Sequence, residues 1–513
     1  MTAAPAAPNV LLLMADQMAA AHLPAYGNTV VRSPNLDALA RDGVVFESAY
    51  CASPLCAPSR FALLTGRRPS AIGAYDNAAE LPAGTPTIAH VLRAAGYETT
   101  LAGKMHFVGP DQLHGFEERL TTDVYPSGFD WTPDWTLPAG ERLAWYHNTT
   151  SLLSASAREA ALQTDYDDEV CFRAVQRIRD LSLREDGAPF FLTVSFTNPH
   201  DPWEIRQRYW DLYDEDAIDP PAVAPIPRAE DDPHSLRLRA MIGLDRRPLS
   251  DGEVRHARHG YYAAISYLDE RIGEVLAALS DTGLAENTLV VFTADHGELL
   301  GERGLWYKMS FLEGSARVPL IVRGPRLAAR RVHAPVSQLD LAPTLADLAG
   351  APVAGAEFEG TSLVAALTGV SSGPGEAVGE YLAEGVQSPA VMIRRGRHKY
   401  IRCEGDPDLL YDLESDPLER RNLAGEPAAA GLVAAFRAES DERWDLSGLE
   451  RRVLESQRAR RLVARALGRG AYAPWDFQPY LDASLLYVRS DAARGERPGR
   501  SRPAGGLPPA DGG

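Results

Sequence analysis

Short, continuous apolar runs alternate along the chain with stretches in which apolar residues recur at helical spacing. The first run, residues 9–15, is apolar throughout after its leading asparagine, as is typical of a strand buried on both faces of a sheet. Strands that alternate with helices predict an α/β fold, a mostly parallel sheet with helices on both faces. Similar apolar runs predict further strands at residues 44–50, 98–102, 189–196, 288–293 and 318–322.

The helices are predicted from apolar stripes and from the signals at their ends. Ser33 and Pro34 form a typical N-cap and first-turn pair, and Gly43 ends the stripe that follows. Residues 109–146 show little periodicity and are rich in Trp, Tyr, Pro and Asp, and a long loop of this kind is usually functional. Residues 202–248 are predicted to form a second, proline-rich loop. Helical spacing predicts further helices at residues 167–183, 254–279 and 341–348.

The pattern changes near residue 375, where two short runs predict antiparallel strands at 391–395 and 398–402. Helices are expected near 428–439 and at 449–467, and the second is rich in arginine. An aromatic segment follows, and we expect it to contact either the core or another subunit of a homo-oligomer. We therefore divide the chain into a main domain at 1–375, a smaller α+β subdomain at 376–445, a helix with an aromatic extension at 446–490, and a disordered tail at 491–513.

Composition narrows the classes of protein to consider. The chain has 513 residues and a net charge of −18, which argues against nucleic acid or an anionic membrane as a partner. Four cysteines in so long a chain are not a disulfide framework. The first residues lack a basic n-region and a separate apolar h-region, and we therefore expect a cytoplasmic protein.

Polar side chains follow four of the predicted strands at the point where each strand ends. Asp16, Lys104, His200 and Asp295 all occupy such positions. Open α/β sheets bind ligands at the carboxyl ends of their strands, so we expect these four residues to meet at one edge of the sheet.

A second candidate feature is the stretch that begins at Cys56. Two residues after the cysteine comes Pro58, and Ser59 and Arg60 then open a short apolar run that is predicted to be a helix. A helix N-terminus suits an anion, and the planar fork of Arg60 can donate to two anionic oxygens. The alternative is a buried cysteine before an ordinary helix.

The residues from Cys56 to Arg60, followed by Thr65, Gly66 and Arg67, resemble the signature of type I sulfatases. The similarity extends to NVLLLMADQ at the start, to TADHGE at residues 293–298 and to LYDL at residues 410–413. Residues 104–116 (KMHFVGPDQLHGF) and 472–480 (YAPWDFQPY) resemble the choline-sulfatase branch of that family. The resemblance implies an alkaline-phosphatase-like α/β fold in which residues 1–375 form the catalytic domain.

In that family the cysteine is oxidised to formylglycine before folding, which implies a formylglycine-generating enzyme as a maturation partner. The hydrated aldehyde has two geminal hydroxyls: one attacks sulfur, and the other later collapses to expel sulfate. The reaction also needs positive groups that neutralise the charge on the sulfate oxygens, and an acid for the leaving oxygen. The resemblance assigns sulfate contacts to Arg60, Lys104 and Lys308. It assigns protonation of the leaving group to His200 and Lys308, and it makes His106 the residue that contacts the hydrate.

The resemblance also implies a divalent metal ion, with Asp16, Gln17, Asp295, His296 and the modified Cys56 as its ligands. The commonest sulfatase pattern has two aspartates after the first strand and Asp-Asn at the later position, whereas this chain has Asp-Gln and Asp-His. Oxygen-rich sites suit calcium, and a histidine ligand makes manganese conceivable. We expect Ca²⁺ first and Mn²⁺ second.

A choline group carries a quaternary ammonium, which calls for aromatic faces and a carboxylate. The resemblance favours Trp131 and His147 for the aromatic contacts, and Glu384 as the counter-charge, with Glu380 as the nearby alternative. Asn77 is a further candidate for a sulfate contact, although an Asx-turn explains it nearly as well. The other aromatic side chains of the same loop are Trp135, Trp145 and Tyr146.

The expected activity is hydrolysis of choline O-sulfate, a small-molecule sulfate ester. The alternative enzyme is a phosphonate or phosphate mono- or diester hydrolase, because Asp-Gln and Asp-His also resemble the metal ligands of that relative. A hypothesis of another class is an inactive sulfate-ester-binding protein. The intact set of candidate catalytic residues argues against it.

Overall fold

The computed structural model describes residues 7–138, 147–471 and 473–480. Four features considered above lie outside these ranges: Trp145, Tyr146, Tyr472 and the 491–513 tail. Strands β1–β9 are Asn9–Ala15, Val44–Phe46, Ala49–Tyr50, Glu98–Gly103, Glu118–Arg119, Ser156–Ala157, Phe190–Ser195, Glu204–Ile205 and Thr288–Ala294. Strands β10–β17 are Arg317–Val318, Leu320–Arg323, Arg330–Val332, Val336–Ser337, Glu376–Tyr381, Ala390–Arg395, His398–Cys403 and Leu409–Asp412.

The main sheet has eight strands in the order β12-β2-β11-β9-β1-β7-β4-β5. Its centre is parallel, since β1 pairs in parallel with both β9 and β7, and β7 pairs in parallel with β4. Strand β11 runs antiparallel to β9 and β2. All seven residues of β1 are buried, as a continuous apolar strand covered on both faces requires. The predicted mostly parallel α/β sheet is confirmed.

Helices pack in two groups around this sheet. Helices α1–α7 are Pro34–Asp42, Cys56–Thr65, Pro69–Ile72, Ile88–Ala94, Thr149–Leu153, Leu162–Ser182 and Gln207–Trp210. Helices α8–α14 are Pro233–Ile242, Asp251–Asp281, Glu313–Ala316, Leu341–Ala349, Val364–Leu367, Ala430–Arg443 and Leu446–Leu467. Helices α1 and α6 pack against α9, whereas α2 and α4 pack against α11. Short 3-10 helices lie at Ala20–His22, Pro24–Tyr26, Glu215–Ala217, Leu284–Asn287, Glu302–Gly304, Gln338–Asp340 and Pro427–Ala429.

The C-terminal part contains a separate four-stranded antiparallel sheet in the order β14-β15-β16-β17. Helix α13 packs against β15 and β16. One side of the sheet forms a small core of its own with Phe436 and Trp444. This arrangement confirms that the fold includes a smaller α+β unit after the main sheet.

The aromatic segment 473–480 contacts the aromatic loop of its own chain, which was given above as residues 109–146. Asp476 Oδ1 accepts hydrogen bonds from Ser127 N at 2.9 Å and Ser127 Oγ at 3.0 Å. Trp475 packs edge-on against Phe129 with ring centroids 5.4 Å apart. A homo-oligomer that uses this segment stays a prediction.

Three local predictions were wrong, and one of them is the strand at 318–322, which is divided between β10 and β11 in different sheets. The region 202–248 is not a continuous loop, because it contains α7 and the ten-residue helix α8. Asp232 caps α8 by accepting from Ser235 N, a signal that the surrounding proline-rich sequence hides. The predicted strand 44–50 is two short strands in different sheets, β2 and β3. Within the described ranges, no helix is both long and apolar enough to cross a membrane.

Candidate active site

Four neighbouring strands deliver the candidate residues to one edge of the sheet. Lys104 follows β4, Asp16 follows β1 and Asp295 follows β9, each directly after the last strand residue. His200 lies five positions beyond the end of β7. These strands are adjacent and parallel, so their carboxyl ends meet. The structure therefore brings together the four strand-end residues singled out from the sequence.

Cys56 is the first residue of α2, which points its N-terminus into this cluster. The Cys56 Sγ lies 3.9 Å from Asp16 Oδ1, 3.3 Å from His296 Nε2 and 3.4 Å from Lys308 Nζ. Burial raises the pKa of the thiol, but the charges of Lys104 and Lys308 lower it more, and the net pKa falls well below the ordinary value. The position of residue 56 is therefore buried and strongly electropositive.

Ligand atoms of Asp16, Cys56, Asp295 and His296 all lie within 4.8 Å of one another. Burial raises the pKa of the Asp16 carboxyl, but the contacting Lys104 ammonium lowers it, so that the carboxyl is ionised. His296 Nδ1 lies 3.0 Å from Gly297 O and donates to it, which leaves Nε2 as the acceptor that faces Cys56 and Asp16. Two carboxylates and an imidazole nitrogen are a donor set that fits a divalent metal ion.

Gln17 is held beside this cluster by its backbone and side chain. Its backbone N donates to Asp295 Oδ1 at 3.0 Å. Its side-chain Nε2 donates to Glu298 Oε2 at 2.6 Å and to Asp201 Oδ1 at 3.2 Å, while Oε1 accepts from Lys308 Nζ. Gln17 thus lies beside the cluster of Asp16, Cys56, Asp295 and His296, and its Oε1 accepts a hydrogen bond from Lys308.

Arg60 organises the cluster from within α2. Its Nε donates to Asp295 Oδ2 at 2.8 Å, and its Nη1 donates to Lys104 O and Ser195 Oγ, both at 2.8 Å. Only Nη2 has no hydrogen-bond partner among the described residues. The expectation that the guanidinium presents a two-donor fork to an anion is therefore not met, since most of its donors hold the protein together.

His200 and Lys308 form a pair at the other side of Cys56. The Lys308 Nζ lies 2.9 Å from His200 Nε2. Burial and Lys308 lower the pKa of His200, but the carboxylates of Asp201 and Asp16 raise it, and the net pKa is above the ordinary value. Because the Lys308 ammonium donates and Asp201 O accepts at the two ring nitrogens, the pair shares a proton that either partner can pass to a leaving group.

His106 lies in the turn after β4. Asp123 Oδ2 accepts from Met105 N at 3.0 Å and from His106 N at 2.9 Å, and this fixes the turn. Burial lowers the pKa of His106, and both ring nitrogens lack a hydrogen-bond partner among the described residues. The neutral ring thus has an acceptor nitrogen available to a bound hydroxyl. Tyr125 packs against it at 5.0 Å between ring centroids.

A cavity of about 370 Å³ opens directly onto Cys56, His200 and Lys308. Its wall includes three aromatic side chains, Tyr125, Trp131 and His147, together with Asn77 and Asp201. His147 stacks on Tyr307 at 4.3 Å, and its Nδ1 lies 3.5 Å from Asp201 Oδ1. Burial and Lys308 lower the pKa of His147 to about 4, so the ring is neutral. Asn77 Oδ1 accepts from Ala57 N at 3.0 Å, at the N-terminus of α2.

The two candidate carboxylates for a counter-charge have different surroundings. Glu380 is engaged by the protein, because it accepts from Ser70 N at 2.7 Å, Ser70 Oγ at 2.8 Å and Trp444 Nε1 at 2.6 Å. Glu384 is also buried, but neither of its carboxyl oxygens has a hydrogen-bond partner among the described residues. Burial raises the pKa of Glu384 to about 8. Of the two, Glu384 is the carboxyl without a hydrogen-bond partner in the described part of the chain, but it is not among the residues that line the cavity.

The family model described as Sulfatase matches residues 8–351, and a model described as Choline sulfatase enzyme C terminal matches residues 451–502. The chain belongs to the sulfatase family. A third model, for the C-terminal region of N-sulphoglucosamine sulphohydrolase, matches residues 301–443 of this sulfatase.

Similar proteins and solved structures support the same family. The sulfatase is 47% identical over 492 residues to a choline-sulfatase of Rhizobium meliloti (strain 1021), covering 94% of this chain and 96% of that protein. Among solved structures, it is similar to the phosphonate monoester hydrolase of Agrobacterium radiobacter, with a TM-score of 0.68, 27% identity and coverage of 87% and 96%. A 2-O GAG sulfatase matches with a TM-score of 0.67, 28% identity and coverage of 85% and 91%.

Three residues of this sulfatase site did not emerge from the sequence. Tyr125 lies in the aromatic loop, and its ring centroid is 4.2 Å from Lys104 Nζ. Asp201 directly follows His200, and that adjacency was the available signal. Glu298 accepts hydrogen bonds from Leu300 N, Tyr307 N and Gln17 Nε2. It therefore links the loop that carries Lys308 to Gln17. Nothing in the sequence distinguished Tyr125 from the other aromatic residues of its loop.

Proposed function

We propose that this sulfatase hydrolyses choline O-sulfate to choline and sulfate. The observation that carries the proposal is its 47% identity to the Rhizobium meliloti choline-sulfatase across nearly the full length of both chains. The match of residues 451–502 to a choline-sulfatase C-terminal model supports it independently of the main domain.

The cavity is chemically suited to a cation with no hydrogen-bond donors. Trp131, Tyr125 and the neutral His147 present aromatic surfaces next to Cys56. Aromatic faces attract a quaternary ammonium through their negative quadrupole. Glu384, whose carboxyl has no hydrogen-bond partner within residues 7–138, 147–471 and 473–480, is the proposed counter-charge. Asn77, at the N-terminus of α2, is the proposed additional contact for the sulfate group.

The residues of the site fit two further groups, a divalent metal ion and a formylglycine at position 56. Asp16, Gln17, Asp295, His296 and modified residue 56 would hold a divalent cation, with Ca²⁺ favoured over Mn²⁺, and that ion would supply positive charge to the sulfate oxygens. Oxidation of Cys56 to formylglycine would supply the nucleophilic oxygen. The buried, electropositive position of residue 56 suits a nucleophile that must attack an anion.

The chain's own side chains would then bind and orient the ester. Lys104, Lys308 and Arg60 Nη2, which has an ion-pair contact with Asp16 but no hydrogen-bond partner among the described residues, would neutralise sulfate oxygens. This is the main electrostatic requirement of the reaction. The hydrogen-bonded pair of His200 and Lys308 would donate a proton to the choline oxygen as the sulfur–oxygen bond breaks. His106 would accept the proton of the attacking hydroxyl.

We also propose the wider organisation that these roles require. Residues 1–375 form the catalytic domain, residues 376–445 form the smaller subdomain, and residues 446–490, a helix with an aromatic extension, contribute to a homo-oligomer. The fully buried position of Cys56 supports modification before folding by a formylglycine-generating enzyme, since the folded site encloses the thiol. A cytoplasmic location is part of the same proposal.

The test is a comparison of substrates with the purified, metal-loaded protein and a Cys56→Ala variant as the control. Release of sulfate from choline O-sulfate should be far faster than hydrolysis of aryl phosphodiesters or phosphonate monoesters, and should disappear in the variant. The second candidate, a phosphonate or phosphate ester hydrolase, is favoured by the similarity to the Agrobacterium radiobacter enzyme. Faster turnover of the diester or phosphonate would establish that candidate and refute the choline ester.

A further inference from the structure

One face of helix α14 is buried against three segments that carry candidate substrate-binding residues. Leu449, Val453, Gln457 and Arg460 recur at spacings of three and four residues and are all buried, whereas Arg458 on the opposite face is exposed. Leu449 and Val453 belong to a cluster that also contains Tyr75, Leu382 and Trp135. The three partners belong to the three segments that carry Asn77, Glu384 and Trp131.

Arg460 is the polar centre of this contact. Its Nη1 and Nη2 donate to Asp76 Oδ1 and Oδ2, each at 2.6 Å, in a bidentate pair whose side chains are 9% and 0% exposed. Asp76 immediately precedes Asn77, and Asn77 Oδ1 accepts from Ala57 N beside Cys56. A two-point ion pair therefore fixes the loop that places Asn77 in the cavity wall.

The same helix holds the aromatic loop. Arg460 Nη1 lies 3.3 Å from Thr132 Oγ1, next to Trp131, and Gln457 Oε1 accepts from Trp135 N at 2.9 Å. Arg461 forms an ion pair with Asp134 in the same loop. Trp135 Nε1 in turn donates to Ala383 O at 2.9 Å, directly before Glu384.

We infer that Arg460 is a positioning residue that sets the geometry of the ammonium-binding end of the cavity, through the Asp76 loop and the aromatic loop. This inference rests on the proposed function. Lys104, His200 and Lys308 are held by other segments, after β4, β7 and β9, and Arg60 lies in α2. Asn77, the proposed sulfate contact on the Asp76 loop, is held separately by Ala57 N of α2, so it keeps this anchor when the Arg460 pair is lost. Disturbing Arg460 should therefore weaken recognition of the choline group more than it slows sulfuryl transfer.

The experiment measures kcat and KM for choline O-sulfate and for 4-nitrophenyl sulfate, which lacks the ammonium group. The double variant Arg460→Met/Asp76→Asn removes the pair without leaving a buried charge alone, and Arg460→Lys keeps one charge without the planar fork. Arg458→Lys and Arg458→Met are the matched controls. Circular dichroism and thermal denaturation establish that each variant is folded.

In the double variant we expect KM for choline O-sulfate to rise about tenfold or more, with kcat within about threefold of wild type. Arg460→Lys should lie between the two because it restores part of the pair. For 4-nitrophenyl sulfate, kcat/KM should change by less than about threefold, so the preference for the choline ester falls.

Two results would overturn the inference. One is a KM for choline O-sulfate within about twofold of the Arg458 controls in both variants. The other is an equal loss of kcat/KM for both substrates, which would mean a general structural role. If the double variant does not fold, Arg460→Lys decides between these outcomes. A wild-type protein that fails to turn over choline O-sulfate would instead refute the proposed function, and this is seen before any variant is made.

Discussion

Glu384 offers a test in which substrate binding and stability respond in opposite directions to one substitution. Its carboxyl is buried, has no hydrogen-bond partner among the described residues, and is protonated at neutral pH because burial raises its pKa to about 8. The nearby carboxylate of Asp76 raises this pKa further, while Arg460 and Lys308 lower it. Glu384→Gln keeps the shape of the side chain and removes its titration.

The magnitude follows from the difference between the folded and unfolded pKa values. A carboxyl whose pKa rises from 4.5 to about 8 on folding binds more protons in the native state, so the free energy of unfolding decreases as pH rises between these values. From about pH 6 to about pH 9 this group alone should remove about 2.7 kcal/mol from the wild type and nothing from the variant. Without substrate, Glu384→Gln should therefore become the more stable protein at high pH.

Binding of the substrate should show the reverse. A quaternary ammonium attracts the carboxylate and not the neutral acid, and the ionised fraction of Glu384 rises from about a tenth near pH 7 to about nine tenths near pH 9. The KM for choline O-sulfate in the wild type should fall by up to about tenfold over this range. In Glu384→Gln, KM should be higher and should lack this component.

The assay is denaturant unfolding of both proteins at several pH values without substrate, together with KM over the same range. Groups that titrate in both proteins cancel in the difference. Glu455→Gln, an exposed position on α14, is the control and should track the wild type. A constant stability difference between wild type and Glu384→Gln from about pH 6 to about pH 9 would refute the reasoning. A KM for choline O-sulfate that Glu384→Gln leaves unchanged would remove Glu384 from the ammonium site.

Three further predictions concern the divalent metal ion, His200 as the acid for the leaving group, and the buried ion pairs of Lys399. A chelator should abolish activity, and Ca²⁺ or Mn²⁺ should restore it; full activity after verified metal removal would exclude the metal's role. His200→Gln should lower kcat for choline O-sulfate by about 10²–10⁴ but slow an aryl sulfate with a good leaving group much less, and equal losses would contradict its role as the acid. Lys399 is fully buried between Glu313 at 2.9 Å and Glu419 at 2.5 Å, so Lys399→Met should lower the free energy of unfolding by about 3–5 kcal/mol. The exposed control Arg397→Met should change it much less, and equal effects would contradict the structural role.

The central strands could be predicted because burial on both faces leaves a continuous apolar run. Strand β1 has the predicted bounds, and β9 extends one residue beyond its prediction. Helix α8 could not be found in this way, because its flanking prolines and aspartates are also typical of loops. The small edge strands, such as β5 and β12, are two or three residues long and carry no periodic signal.

The site divides along a similar line. Asp16, Lys104 and Asp295 were predictable because each comes one or two residues after the end of a predicted strand, and the sheet order then brings them together. A further signal was present in composition: only three of the 52 basic residues other than histidine are lysines, and Lys104, Lys308 and Lys399 are all fully buried. The Arg460–Asp76 pair joins positions 384 residues apart, and no local pattern predicts such a contact.

The central claim is that residue 56 acts as formylglycine in a choline-sulfatase, and peptide mass spectrometry of the active protein tests it most directly. The account predicts that the tryptic peptide containing residue 56 loses one sulfur and two hydrogens and gains one oxygen, a decrease of about 18 Da, and that the converted fraction tracks the rate of choline O-sulfate hydrolysis across preparations. Protein that turns over choline O-sulfate at full rate while every residue 56 remains an unmodified cysteine would contradict it.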